Sequence, residues 1–386
     1  MIHLFINGIA ASTGGGLTYL RNVLPHLAIR DDVRTTVLLN SSFASEFHDS
    51  NNLEIVQSNS SPGAAKRFWY EQHKIPKLIR ESNANCLLSP GNFVVFGSPV
   101  PQILLSRNAL YTSRQFTRDL YDRGEYGMLA GHAIKSFLAR KSMRAADCAV
   151  APTAAFAKDL QDWTGQDVEV LHHGFNPAIF FCDVPLQPEI QRKLDTAKGS
   201  LRLLFVSHYN YYRNFETLIR GLAVLKRRLA PRTVKLLLTC RLESGSNPGG
   251  YRSYSAAALA RHLQVKEDIV ELGPLPYRLL HHLYCFCDLY VTAAYAESFA
   301  HPLVEAMASG IPVIASDLPV HREICGSAAQ YFPAFSPEKL ADCVLAAGDP
   351  QEREAMQRSG LSRSLNFCWK KHTEHLISLA RKLVRQ

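Results

Sequence analysis

Residues Leu289 to Asp317, LYVTAAYAESFAHPLVEAMASGIPVIASD, constrain the fold of this chain more than any other stretch. An apolar strand (Leu289, Tyr290, Val291) leads through an irregular segment carrying Glu297, Ser298 and Phe299 to a helix predicted from Pro302. Proline suits that first position because its missing N–H would be unpaired there anyway. The helix, with Leu303, Val304, Ala306, Met307 and Ala308 around Glu305, is predicted to stop at Gly310, and Pro312 to Ala315 reads as the next buried strand. This strand, loop, helix and strand form one unit of a parallel sheet. The loop and helix start then lie at the carboxyl end of the strand, where unpaired N–H groups and the positive end of the helix dipole attract anions. Glu297 on the loop and Glu305, predicted in the first turn, can both face a ligand resting there. A carboxylate accepts two hydrogen bonds and a vicinal diol donates two. An isolated pair of this kind more simply caps the turn and complements the dipole.

This pair is not isolated. Glu297-Ser298-Phe299, three intervening residues, and then Leu303 to Val313 (LVEAMASGIPV) resemble the donor-binding motif of glycosyltransferase family 4, retaining enzymes of the GT-B fold. The resemblance implies an α/β architecture of two Rossmann-like doubly wound domains facing each other across a cleft, with a C-terminal helix crossing back to the first domain. It implies that Glu297 holds hydroxyls of the transferred sugar, that Glu305 holds the ribose diol, and that amides around Ala300, His301 and Leu303 meet the diphosphate. Ala300 stands where the family usually has glycine.

With 386 residues, 47% hydrophobic and 20% charged, the chain suits two soluble globular domains. No apolar run reaches the ~20 residues of a membrane-spanning helix. The start, MIHLFINGIAA, lacks the basic region and long apolar core of a signal peptide, so a cytoplasmic location is expected. Nine cysteines without regular spacing fit reduced, mostly buried thiols. His281, His282, Cys285 and Cys287 cluster, but Leu279, Leu280, Leu283, Tyr284 and Cys287 fall at helical spacing, and a metal site is rejected. The net charge of +9 implies an anionic partner, and no nucleic-acid signature accompanies it. A nucleotide sugar and an acidic membrane surface fit the charge.

Short apolar runs at Ile2–Ile6, 36–39, 53–56, 86–88, 103–105, 148–150 and 168–171 alternate with segments of helical composition and predict a first doubly wound domain over 1–180. After Ile2–Ile6 comes Gly14-Gly15-Gly16, and the family's double glycine, which faces donor and acceptor, matches Gly15 and Gly16 best. Residues 67–80 (RFWYEQHKIPKLIR) and 135–144 (KSFLARKSMR) mix aromatic and basic side chains; each reads as an ordinary surface helix or as a patch resting on acidic lipid. Residues 183–200 are polar, with Pro185 and Pro188, and read as an interdomain connection. A second domain over 181–365 then opens with a strand at 202–206, and residues 366–386 supply the C-terminal helix.

The family places Gly-Arg after that strand and a lysine five residues later, both on the diphosphate. This chain has Ser207-His208 and Arg213 instead, and Arg213 can still donate several hydrogen bonds. Residues 269–275, ending at Leu275, resemble the segment whose main chain recognises the base. Many relatives carry His-Asp after the strand equivalent to 103–105; here Arg107 follows that strand, either stabilising the departing diphosphate or filling the cleft wall.

The reading is a retaining glycosyltransferase that moves a hexose from GDP-mannose or a UDP-sugar to a glycan or lipid-linked acceptor in cell-surface polysaccharide biosynthesis. An epimerase-like nucleotide-sugar enzyme and a silent binding module remain as alternatives. No two Asp residues lie two positions apart, so no Asp-x-Asp pair is present to bridge a metal and the diphosphate, and neither metal nor other cofactor is expected.

Overall fold

The computed structural model describes residues 1–11, 15–58, 63–243 and 245–385. Gly14, the first of the three glycines, and Gln386 lie outside them. The chain divides into two compact units, one of Met1–Gly174 with Cys368–Gln386 and one of Phe175–Phe367.

The first unit holds a seven-stranded, wholly parallel sheet. Its strands are β1 Ile2–Asn7, β2 Val33–Asn40, β3 Leu53–Ser58, β4 Cys86–Ser89, β5 Gln102–Leu105, β6 Cys148–Ala151 and β7 Val168–Val170, in the order β3-β2-β1-β4-β5-β6-β7. The second unit repeats the plan with β8 Leu201–Phe205, β9 Val234–Leu238, β10 Ile269–Glu271, β11 Leu289–Thr292, β12 Val313–Ser316 and β13 Ala329–Phe332, in the order β10-β9-β8-β11-β12-β13. Every residue of β1, β4, β5, β11 and β12 is buried. That is why these strands read as continuous apolar runs: helices cover both faces of a parallel sheet.

In both units the strand order reverses once, between β1 and β4 and between β8 and β11. Loops leaving the carboxyl ends of those neighbours diverge to opposite sides and leave a crevice, the usual ligand position in doubly wound sheets.

Three sequence expectations move. The first unit ends at Gly174 rather than 180, because the helix Pro177–Phe180 packs Phe180 against Tyr277 and Tyr284 of the second unit (ring centroids 5.4 and 5.7 Å). Residues 183–200 are an integral part of the second unit, not a free linker: the helix Pro188–Asp195 buries Ile190 and Leu194. Finally, the C-terminal segment joins the first unit from Cys368. Its helix Trp369–Val384 places Trp369, Leu376, Ile377 and Ala380 in one core with Leu20, Leu24 and Leu27 of the helix Gly15–Ala28.

Candidate active site

The crevice of the second unit is built from the loop after β8 and the loop after β11. Asn214, at φ 55°, ends the first loop, and its side-chain amide donates to the carbonyls of Ala293 (3.1 Å) and Ala334 (2.6 Å). The Tyr295 N–H donates to the Tyr212 carbonyl at 3.0 Å. These bonds tie the two loops together, and between them the Arg213 guanidinium is ion-paired through Nη1 with Oε2 of Glu297. Only 18% of the arginine and 10% of the glutamate side chain remain accessible, so the pair is held in a poorly solvated place. Burial opposes the guanidinium charge, but the Glu297 carboxylate more than offsets it and Arg213 stays firmly cationic.

His321, on the helix Pro319–Cys325, is fully buried and faces the same charges. Its Nδ1 lies 2.8 Å from the Ser316 carbonyl, which can only accept, so Nδ1 carries the proton and Nε2 is a bare acceptor. Nε2 finds no hydrogen-bond partner among the described residues, nor does the Nε donor of Arg213. Burial lowers the His321 pKa, keeping the ring neutral. Buried polar atoms left open in this way are uncommon, and here a donor and an acceptor flank one carboxylate.

Beyond Glu297 the chain enters the helix His301–Ala308 through Ala300, which lies in the left-handed region at φ 63°. There a Cβ is costly and glycine is favoured, so the departure at Ala300 carries real strain rather than being a neutral swap. The Leu303 N–H is already used, donating to the Ala300 carbonyl at 3.0 Å, and is not available to a diphosphate.

Glu305 also departs from expectation. It sits past the first turn of that helix, only 4% exposed, and its Oε2 accepts from Tyr284 Oη at 2.9 Å and its carboxyl also from the Tyr277 hydroxyl. Burial raises its pKa to about 7 against the opposing effect of the two tyrosines. Tyr277 comes from the turn after Leu275, which is itself half-buried beyond β10. His208 is exposed in the loop after β8; ring desolvation and then the Arg213 charge lower its pKa, leaving a neutral imidazole with one donor.

The remaining candidates lie in the first unit. Gly15 and Gly16 open the helix Gly15–Ala28, and a Cβ on Gly16 would stand 3.1 Å from Ala11 Cα. Arg107 clamps this turn from β5: Nη1 donates to the Gly15 carbonyl (2.6 Å), Nε to the Pro90 carbonyl (3.0 Å), and the guanidinium lies over the Tyr19 ring. Burial lowers its pKa to about 10. These contacts all lie within the first unit and use two of the guanidinium's N–H donors. His281 and His282 each meet a backbone carbonyl, of Arg278 (3.0 Å) and Val184 (2.7 Å).

Asn214, Tyr277, Tyr284 and His321 have no sequence-level signal beyond their residue type. Only the Asn before the helix Phe215–Leu229, in a residue class that tolerates left-handed backbone, hints at its position.

Residues 187–360 match the family model described as glycosyl transferases group 1. The D-inositol 3-phosphate glycosyltransferase of Nocardia farcinica is 30% identical over 176 residues, 45% of this chain and 38% of that protein. The serotype-specific mannosyltransferase WbdA of Escherichia coli is 31% identical over 120 residues, 31% of this chain and 14% of that protein. The chain thus spans well under two thirds of either relative. Among solved structures, sucrose-phosphate synthase of Thermosynechococcus elongatus superposes with a TM-score of 0.78 at 16% identity, covering 99% of both chains. Anabaena HepE in complex with UDP and glucose does so with a TM-score of 0.73 at 16% identity over 99% of this chain and 100% of that one. The whole chain therefore has the two-unit fold of these proteins, and its second unit, through residues 187–360, is a match to the glycosyl transferases group 1 family.

Proposed function

We propose that the chain is a retaining glycosyltransferase of family 4 that moves a hexosyl group from a nucleotide sugar, GDP-mannose or a UDP-sugar, to a glycan or lipid-linked acceptor of cell-surface polysaccharide. The observation that carries the reading is the buried Arg213–Glu297 pair at the switch point of the second sheet, beside the start of the helix His301–Ala308. Preorganised donors aimed at developing charge, in a place that water reaches poorly, are what a departing diphosphate requires. Arg213 supplies a fixed cation and Glu297 an acceptor for sugar hydroxyls. Glu305, steered by Tyr277 and Tyr284, supplies the acceptor for a ribose diol once deprotonated. His208, Leu275 and the backbone at Ala300 and His301 complete the donor side.

HepE was solved with UDP and glucose, and WbdA is named a mannosyltransferase, which supports both donor classes. The stabilisation of the leaving group rests on protein groups, so transfer is expected to need no metal. No described helix is long and apolar enough to cross a membrane. Exposed Trp69, Ile134 and Phe137 beside Lys135 and Lys141 favour a peripheral seat on an acidic membrane at its cytoplasmic face.

Titration calorimetry against UDP-, GDP- and ADP-sugars tests the reading: one of them binds, transfer survives excess EDTA, and the product keeps the donor's anomeric configuration. Absence of binding by all three, or transfer abolished by chelation and restored by Mg²⁺, would overturn it.

A further inference from the structure

The loop after β9 carries an arginine that none of the contacts described so far employs. Its backbone is fixed near both ends. The Asn247 side-chain amide donates to the Arg241 carbonyl at 2.7 Å, and the Leu242 N–H donates to Oε2 of Glu271, the last residue of β10, at 2.8 Å. Further on, the Arg252 N–H donates to the Tyr211 hydroxyl and the Ser253 hydroxyl to the Glu243 carbonyl, each at 3.0 Å. From this braced backbone the Arg241 side chain lies across Gly273. A Cβ on Gly273 would stand 3.3 Å from Arg241 Nε, and Gly273 itself has φ 81°, so glycine both makes the turn and leaves the guanidinium its place. Arg241 is exposed, and its guanidinium makes no hydrogen bond or ion pair with any described residue. Glu271, the acid that holds Leu242, is itself ion-paired with Lys266.

The position of Arg241 relative to a nucleotide follows from Glu305. In the proposed function that acid accepts the ribose diol, and it is bonded to the Tyr277 hydroxyl. Tyr277 opens the turn Tyr277–Leu279, four residues beyond Gly273. In the order β10-β9-β8-β11-β12-β13, Arg241 and Gly273 follow β9 and β10 on one side of β8, whereas Glu297 and the helix His301–Ala308 follow β11 on the other. A nucleotide with its diphosphate at that helix start and its ribose at Glu305 thus directs its base toward Gly273 and Arg241.

Bases differ in the edge they offer a guanidinium. Guanine presents two acceptors, O6 and N7, which suit two parallel N–H donors. Uracil offers the single acceptor O4 there, and adenine sets an N6 amino donor beside N7 that opposes an incoming N–H. We infer that Arg241 determines the base of the sugar donor, and that the base is guanine, held by guanidinium bonds to O6 and N7. The inference rests on the nucleotide-sugar reading and narrows it to a guanosine diphosphate sugar. Because the loop is braced in the unliganded chain, little ordering entropy opposes the contact.

Titration calorimetry of the full chain with free GDP, UDP and ADP tests this without an acceptor. GDP should bind at least about tenfold more tightly than UDP or ADP, the discrimination that a bidentate pair supplies. Ribose and diphosphate are common to all three, so the ratio of affinities reports the base alone. Arg241→Ala, at an exposed side chain, should bring the three affinities within about threefold of one another, and Arg241→Lys, a point charge without the planar fork, should give an intermediate ratio. An arginine that served only to attract phosphate would weaken all three nucleotides equally and leave the ratio intact. UDP or ADP binding as tightly as GDP, a GDP preference that survives Arg241→Ala, or full preference in Arg241→Lys would each overturn the inference while leaving the proposed function standing. Binding of none of the three would overturn the proposed function itself, and this inference with it.

Discussion

The two sheets reverse strand order at equivalent places, yet the two crevices are furnished in opposite ways. In the second unit the crevice is charged and internally paired, Arg213 to Glu297, with Glu305 braced by Tyr277 and Tyr284. In the first it is mostly apolar, and its acid, Glu71, is ion-paired with Arg67 (3.5 Å) through an Oε1 that accepts no hydrogen bond among the described residues. Two acids with the same raised pKa of about 7 thus arise from the same cause, burial, in different surroundings. The comparison teaches that the fold supplies a place for a ligand, while side chains from separate loops decide the chemistry of that place.

The comparison breaks most sharply at Arg213. Arg213→Ala should lower turnover at least roughly a hundredfold and stability by about 3 kcal/mol, because it strands Glu297 without its cation. Kinetics and denaturant unfolding, together with the double variant that also carries Glu297→Ala, check this; a double variant no more stable than the sum of the singles would deny the pairing.

The two acids should behave alike toward pH. An acid whose folded pKa is raised keeps its proton in the native state where the unfolded chain has lost it. Between pH 4.5 and about 7 the native state therefore binds more protons, and stability falls as pH rises through that window, then levels off. Glu71→Gln should gain stability relative to wild type on the order of 3 kcal/mol between pH 4.5 and 8, and Glu305→Gln a similar amount. Urea unfolding at the two pH values measures it, and a flat difference would mean that Glu71 is solvated.

They should part company toward nucleotide. Glu305→Ala should weaken free UDP or GDP by about 1.5–3 kcal/mol, whereas Glu71→Ala should leave nucleotide affinity unchanged. Calorimetry showing equal losses in both would erase the division of labour between the units.

The smallest effect concerns backbone. Ala300→Gly should stabilise the chain by about 1 kcal/mol by relieving left-handed strain at φ 63°, read as a higher unfolding midpoint. A lower midpoint would show that the buried Cβ contributes more than its conformation costs.

Much of the architecture is legible from local pattern. Most of the described strands coincide with apolar runs, because strands covered on both faces admit few polar residues; β3, β7 and β13, with half or more of their residues not fully buried, carry a weaker pattern. The site is legible only where local chemistry carries it. Glu297 and Arg213 stand out by their loops, but their union spans 84 positions and depends on the Asn214 bridge. The helix begins at His301, one residue before the predicted start, which moves Glu305 just past the first turn, and Arg107 gives two of its N–H donors to the Gly15 and Pro90 carbonyls.

What the sequence by itself determined is therefore the alternation of buried strands with helices, the two-unit plan and the loop that offers Glu297 beside a helix start. These depend on periodicity and on residues within a turn or two of one another. Tertiary structure alone decided that Glu71, within a basic-aromatic helix that reads as surface, is buried in an apolar cavity, and that His321 faces Arg213 and Glu297. Burial and charge pairing are set by loops arriving from strands far apart in the chain, and no local pattern records which side chains those loops bring together.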